Sequence, residues 1–281
     1  MNALVFSGAS SKLPIHVGFY QSVMNHQLEF DQVHGTSAGS MVASMIASGL
    51  SLSEIKDVVL EIDFAKVANL GFFGSVWDFF TKSGLSSGRS LERAMKTIYG
   101  DITFNDLVYD LHVYAHSLGS GSWVVFNKKN TPDFPVSKAV RMSATIPFVF
   151  RPVRYDSPNI KIHGERVIKT SDWGVDGGLS KCFPIDEVKD RRSIGHLVSN
   201  AKQETKWESI KMMGMCQEFV RQMLSVNELE SVRDAPKNSV IVRSDYDLGM
   251  FDFSVSKEQK LEMIKLGYYN TEAELGRHGI I

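Results

Sequence analysis

Gly35-Thr36-Ser37-Ala38-Gly39 sets a G-x-S-x-G pentapeptide between a short apolar segment and a strongly helical one. No other feature narrows the fold of this chain as much. The pattern calls for a strand, a turn so sharp that the serine stands clear of the backbone, and a helix directly after it. Glycines on either side keep side chains out of the bend. Residues 31–34 (Asp31, Gln32, Val33, His34) suit a short strand. Met41, Val42, Met45 and Ile46 follow at helical spacing, and Gly49 suits a helix stop. A serine cap on a small-residue helix start is the competing reading of the same five residues.

The same alternation continues on both sides. Ala3–Phe6 reads as a strand ending at Ser7-Gly8, and a helix with the apolar i,i+4 pairs Phe19/Val23 and Tyr20/Met24 follows. Residues 53–66 read as one amphipathic helix, with Ile55, Val58, Val59, Ile62 and Phe64 opposed by Glu54, Lys56, Asp57 and Glu61. Further strands are predicted at Leu111–Ala115, Trp123–Phe126, Ile160–His163, His196–Val198 and Ser239–Val242, and helices at 89–98, 136–144, 205–225 and 255–266. Alternating strands and helices predict an α/β sandwich with a largely parallel sheet. The spacing marks no boundary, so residues 1–281 read as one domain, with 64–90 as a cap segment. Within that segment, 71–80 (GFFGSVWDFF) reads as a core-packed loop and helix, or as a mobile cap that touches lipid. Met212, Met213, Met215 and Met223 read as adaptable core, or as a wall for an acyl chain.

Bulk properties exclude some functions. A net charge of −1 offers no field for holding nucleic acid. Cys182 and Cys216 lack metal-ligand spacing and read as free thiols of a reducing compartment. No apolar run approaches the ~18–20 residues that cross a bilayer. The first residues read as a buried strand rather than a leader, so the expected location is cytoplasmic, peripheral at membranes.

A serine is a poor nucleophile without a base bonded to it. In a Ser-His-Asp esterase of the α/β-hydrolase type, the base would be His163, His196 or His278. That fold needs more strands before its elbow than 36 residues supply, and none of these histidines sits in a suitable turn. Asp176-Gly177-Gly178 offers another base, an aspartate at a strand end where the backbone bends closely around it. Ser7-Gly8-Ala9-Ser10-Ser11-Lys12 joins a strand to a helix, a place where consecutive N–H groups collect negative charge. Acyl transfer needs such a place for its oxyanion.

These three pieces, in this order, resemble the patatin-like phospholipase family. LVFSGASSKLPIHVGFYQSV is similar to the family's opening strand, loop and helix, and GTSAGSMVASMIASG to its elbow block. SGLSSGRSLERAMKTIYGDITFNDL, SKAVRMSATIPFVFRPV with its Ser-x-x-x-Pro-x-x-Phe core, and FDFSVSKEQKLEMIKLGYY extend the resemblance over most of the chain. The resemblance implies a three-layer α/β/α fold with a mainly parallel central sheet. It implies Ser37 as nucleophile and Asp176 as base, a dyad without histidine. The N–H groups around Gly8, Ala9, Ser10 and Ser11 would form the oxyanion hole. Lys12, Gly35, Gly39, Gly177 and Gly178 would support it. The implied reaction is hydrolysis of phospholipid or lysophospholipid esters through an acyl-serine, with transient membrane contact and no metal or organic cofactor. The sequence departs from the family's Gly-Gly-Gly-x-Arg-Gly loop, with Ala9, Ser10 and Leu13 replacing glycines. Side chains with a Cβ avoid positive φ. The departure points to a slow enzyme, an activating protein partner, an altered acyl preference, or a catalytically weak relative that binds lipid or a partner.

Overall fold

The computed structural model describes residues 2–68, 84–162, 166–199, 212–249 and 252–281. Its strands are β1 (Asn2–Phe6), β2 (Phe30–Thr36), β3 (Gly84–Ser86), β4 (Asp110–Ser117), β5 (Ser122–Phe126), β6 (Phe148–Phe150), β7 (Val153–Ile162), β8 (Arg166–Asp176), β9 (Arg192–Ser199) and β10 (Ser239–Asp245). Eight of them make one sheet in the order β10-β9-β1-β2-β4-β5-β7-β8, and β3 pairs with β6 apart from it. The sheet is mixed. From β10 to β4 every pairing is parallel, and from β4 to β8 every pairing is antiparallel.

The helices are α1 (Pro14–Asn25), α2 (Ala38–Ala47), α3 (Leu52–Glu61), α4 (Phe64–Ala68), α5 (Arg89–Tyr99), α6 (Val136–Ser143), α7 (Gly178–Lys181), α8 (Met212–Arg233) and α9 (Lys257–Arg277). They lie on both faces of the sheet, giving the expected α/β/α layers. In β1 the run Ala3-Leu4-Val5-Phe6 is fully buried, as a central parallel strand covered on both sides requires. Leu4 and Phe6 join the large core built with α1, α2, α6 and α9. Ala3 and Val5 face the other way, onto Phe183, Ile185, Val188 and Leu197. α1 and α9 pack so closely that a Cβ on Gly18 would lie 1.9 Å from the Ile264 carbonyl oxygen.

Several elements differ from the sequence expectation. The single helix over 53–66 is two, because Ile62 is extended (ψ 126°) and Asp63 caps the next turn by accepting the Lys66 N–H at 3.0 Å. The helix expected at 205–225 is described from Met212 and runs on to Arg233, and that at 255–266 runs from Lys257 to Arg277. Met215 and Met223 point to solvent rather than into a core. The strand at 160–163 is the end of the longer β7, and β8, expected only as a strand ending at Asp176, begins at Arg166. Residues 71–80 and His163 lie outside the described residues, as does the side chain of Cys216; Cys182 is buried and unpaired.

Candidate active site

Strand register brings the site together. β1 and β2 are neighbours, with Phe6 beside Gly35, so the loops after both strands open at the same edge. Such carboxyl edges are where open α/β sheets hold ligands. Thr36 is paired with Tyr114 of β4, and the next residue of β4, Ala115, is paired with Asp176 of β8. Ser37 and Asp176, far apart in sequence, therefore emerge side by side.

Ser37 takes φ 52° and ψ −125° between β2 and α2. A non-glycine residue held there stores about 1–3 kcal/mol of strain. Its surroundings fix it. The Ser37 N–H donates to Ser143 Oγ at 2.8 Å, and Ser143 Oγ donates to the Tyr114 carbonyl at 2.5 Å. The Ser37 carbonyl accepts from the Ser40 N–H and Oγ at 2.9 and 2.6 Å. The flanking glycines are needed for close approach. A Cβ on Gly39 would lie 2.4 Å from the Ser7 carbonyl oxygen, and one on Gly35 2.6 Å from that of Gly39. The DGG turn obeys the same constraint, since a Cβ on Gly177 would sit 2.2 Å from the Tyr114 carbonyl oxygen. Gly178 has the Leu224 side chain against it.

Ser37 Oγ donates to Asp176 Oδ2 at 2.7 Å, and the Gly178 N–H donates to Asp176 Oδ1 at 2.8 Å. The Asp176 N–H is held by the Thr145 carbonyl at 2.8 Å. Burial pushes the Asp176 carboxyl up to about 6, although the Ser37 and Gly178 bonds pull the other way. A base near that value is stronger than a free aspartate and remains ionised at neutral pH. No imidazole fits between groups already in direct contact. His196 is buried elsewhere, bonded to His16 and Ser244, and His278 pairs with Glu274 at the end of α9.

The loop after β1 is partly as expected. Ser10 does adopt positive φ (50°), while Ala9 (−142°) and Leu13 (−42°) do not. The Gly8 N–H is committed to the Cys182 carbonyl at 3.0 Å, which removes it from the expected donor set. Gly8 instead provides proximity, since a Cβ there would lie 3.7 Å from that of Ser37 and 3.2 Å from Cys182 Sγ. Lys12 is fully buried and turned to the end of β9, donating to the Ser199 carbonyl at 2.7 Å. Burial pushes it down to about 8. Glu228 of α8, near Lys12 and Cys182, is pushed up to about 7 by burial.

A solvent-open pocket lies against the pair, walled by Ile146, Leu179, Cys182, Val220 and Leu224. Sequence reading missed Ser143, which holds the Ser37 N–H, and the apolar walls Ile146, Leu179, Val220 and Leu224, the last two from the inner face of α8. The Ser-x-x-x-Pro-x-x-Phe segment was the available signal for the first. No group of metal-ligating side chains occurs among the described residues, and no helix among them is long and apolar enough to cross a membrane.

Comparison with known proteins is consistent across sequence and fold. The family model for patatin-like phospholipase matches residues 4–189. The uncharacterized protein YqhO of Bacillus subtilis is 27% identical over 288 residues, covering 95% of this chain and 96% of that one. The triacylglycerol lipase ptl3 of Schizosaccharomyces pombe is 27% identical over 214 residues, covering 70% of this chain and 44% of that one. Among solved structures, VipD from Legionella pneumophila superposes with a TM-score of 0.61 at 17% identity, over 99% of this chain and 67% of that one, a likeness of fold.

Proposed function

Because the chain belongs to the patatin-like phospholipase family, whose members include ester-hydrolysing lipases, we propose that it is a lipid acyl hydrolase with a Ser37–Asp176 dyad. Its substrates in this reading are the carboxylic esters of phospholipids or lysophospholipids. The observation that carries the proposal is the 2.7 Å bond from Ser37 Oγ to a buried carboxylate beside an apolar cavity. Ser37 Oγ attacks the ester carbonyl and gives its proton to Asp176. The oxyanion is met by N–H groups of the loop at Ala9, Ser10 and Ser11. Asp176 then passes the proton to the leaving alcohol, and acyl-Ser37 remains. Water, deprotonated by Asp176, releases the fatty acid and restores the serine. No metal or organic cofactor enters these steps.

Membrane contact belongs to the same proposal. On α8, Met215, Phe219, Met223, Val226 and Leu229 form an exposed apolar stripe, while the opposite face supplies Val220 and Leu224 to the cavity. A helix apolar on its outer face suits the surface of a bilayer. Transient contact there, from a cytoplasmic protein, would bring the substrate beside the site. Replacing Phe219 and Leu229 with Asp is expected to lower release from vesicles far more than hydrolysis of a dissolved ester.

The deciding experiment is free fatty acid release from mixed phospholipid vesicles, with Ser37→Ala run in parallel. Release that vanishes in the variant is expected, and release that persists removes the proposal. A second reading, a catalytically weak relative that binds lipid or a partner, is favoured by the committed Gly8 N–H. Absence of release from both proteins, with failure of a fluorophosphonate to label Ser37, would select it.

A further inference from the structure

Two cavities meet at Ser37. The first holds Asp176. The second runs between α2, α4, α5 and β6, walled by Met41, Phe64, Leu91, Phe150 and Phe253. They share Ser10, Ser37 and Ile146, and Asp176 lines the first alone. Building on the acyl-serine reading, we propose that the second cavity binds the acyl chain of the ester and the Asp176 cavity takes the leaving alcohol.

The assignment follows from the four substituents of the tetrahedral intermediate. One is Ser37 Oγ. The oxyanion turns to the loop, whose Ser10 lies at the junction of the cavities. The leaving oxygen must take its proton from Asp176, so it lies on the Asp176 side. The acyl chain has the remaining direction, past Ala38 and along α2 into the second cavity. Ile146 stands between the two paths. The lining permits the assignment, and because the Asp176 cavity is apolar too, the position of Asp176 decides between them. Beyond the serines at its mouth, the second cavity presents Met, Leu, Ala, Ile and Phe side chains, a wall that holds an alkyl chain by removing it from water. Met41 and Leu91 are buried members of the core, so the wall is set by the fold, while Phe253 is half-buried and closes one side.

Chain-length kinetics test this. With a fixed nitrophenyl leaving group, each methylene added from butyrate upward should raise kcat/KM about fourfold, the rate equivalent of burying one CH2, until the cavity is full. Leu91→Trp narrows the second cavity and should flatten that slope, cutting the dodecanoate-to-butyrate ratio about tenfold or more. Phe253→Ala opens the cavity and should move the optimum to longer chains. Leu179→Trp narrows the Asp176 cavity and should keep the acyl slope while discriminating against bulky alcohols. The proposal is overturned if Leu179→Trp, and not Leu91→Trp or Phe253→Ala, changes the acyl slope. The underlying reading fails separately, if the wild type hydrolyses no ester or if Ser37→Ala does. Binding then still decides the assignment: dodecanoate affinity measured in Ser37→Ala should fall about tenfold on adding Leu91→Trp, and an unchanged affinity overturns it.

Discussion

Ser37–Asp176 and His16–His196 are both buried polar pairs joined by one short hydrogen bond, 2.7 Å and 2.9 Å long, and they differ in what remains unmet. In the histidine pair every ring nitrogen is used. His16 Nε2–H donates to the Ser7 carbonyl at 2.9 Å, which can only accept. Its Nδ1 therefore accepts from His196 Nδ1–H, and His196 Nε2 accepts from Ser244 Oγ at 3.0 Å. Burial pushes His16 down to about 4 and His196 well below its usual value, so both rings are neutral. The serine–aspartate pair instead faces a cavity, and its carboxyl is pushed upward. Burial shifts both pairs toward their neutral forms. Neutral histidines make a saturated brace behind Ser7, whereas a carboxylate resisting its charge makes a base.

The comparison breaks most sharply if the dyad is neutralised. Asp176→Asn is expected to lower fatty acid release about a thousandfold or more, within the range of a positioned base. The same variant should be more stable at pH 7–8. Keeping a carboxylate ionised when its folded value is about 6 rather than 3.8 costs on the order of 3 kcal/mol. A variant that kept most of the wild-type rate would end the dyad assignment. The histidine pair should answer in the opposite sense. His16→Phe leaves the Ser7 carbonyl and the His196 donor without partners, at roughly 1–3 kcal/mol each. Chemical denaturation should show that loss while a fluorophosphonate still labels Ser37; unchanged stability with lost labelling would reverse the roles given to the two pairs. Ser143→Ala should fall between, costing roughly 1–2 kcal/mol by freeing the Ser37 N–H, and a turnover equal to wild type would show that Ser143 does not position the nucleophile.

Much of the site was legible because its constraints are local. A Cβ at Gly35, Gly39 or Gly177 meets backbone oxygen, so the motifs had to be written in glycine. Phe6 and Leu4 declared a buried strand for a similarly local reason. What local pattern does not carry is register. The nearness of base and nucleophile, which the pairing of Ala115 with Asp176 sets, was implied by the family resemblance and not by residue periodicity. The split at Ile62 depends on a single extended residue followed by a capping aspartate, and period counting passes over it. Met215 and Met223 misled because composition says apolar without saying which face is covered. His196 was a fair suspect by type, and only its partners reveal a brace. The Gly8 N–H likewise looked available until Cys182 was placed opposite it.

The smallest expected effect is the most specific to the two pairs, because their pH dependences of stability have opposite signs. Asp176 is raised in the folded state, so the native protein takes a proton near pH 6 that the unfolded chain takes only near 3.8. Its contribution to stability is therefore gained as pH falls through about 6 and lost as pH rises through it. His16 is depressed to about 4 from 6.5. Its contribution is intact above 6.5 and drains away as pH falls, because the unfolded chain protonates first. Between pH 6.5 and 4.5 the two partly cancel in the wild type. Activity does not share in the cancellation, since protonated Asp176 cannot accept the Ser37 proton, and kcat/KM should fall about tenfold per pH unit below about 6 while the fold persists. Asp176→Asn removes one side of the balance, and its thermal midpoint should drop more steeply with acid than that of the wild type. His16→Phe removes part of the other side, His196 being depressed as well, and should make the slope shallower. Parallel slopes in all three proteins would mean that neither pair titrates as its surroundings demand.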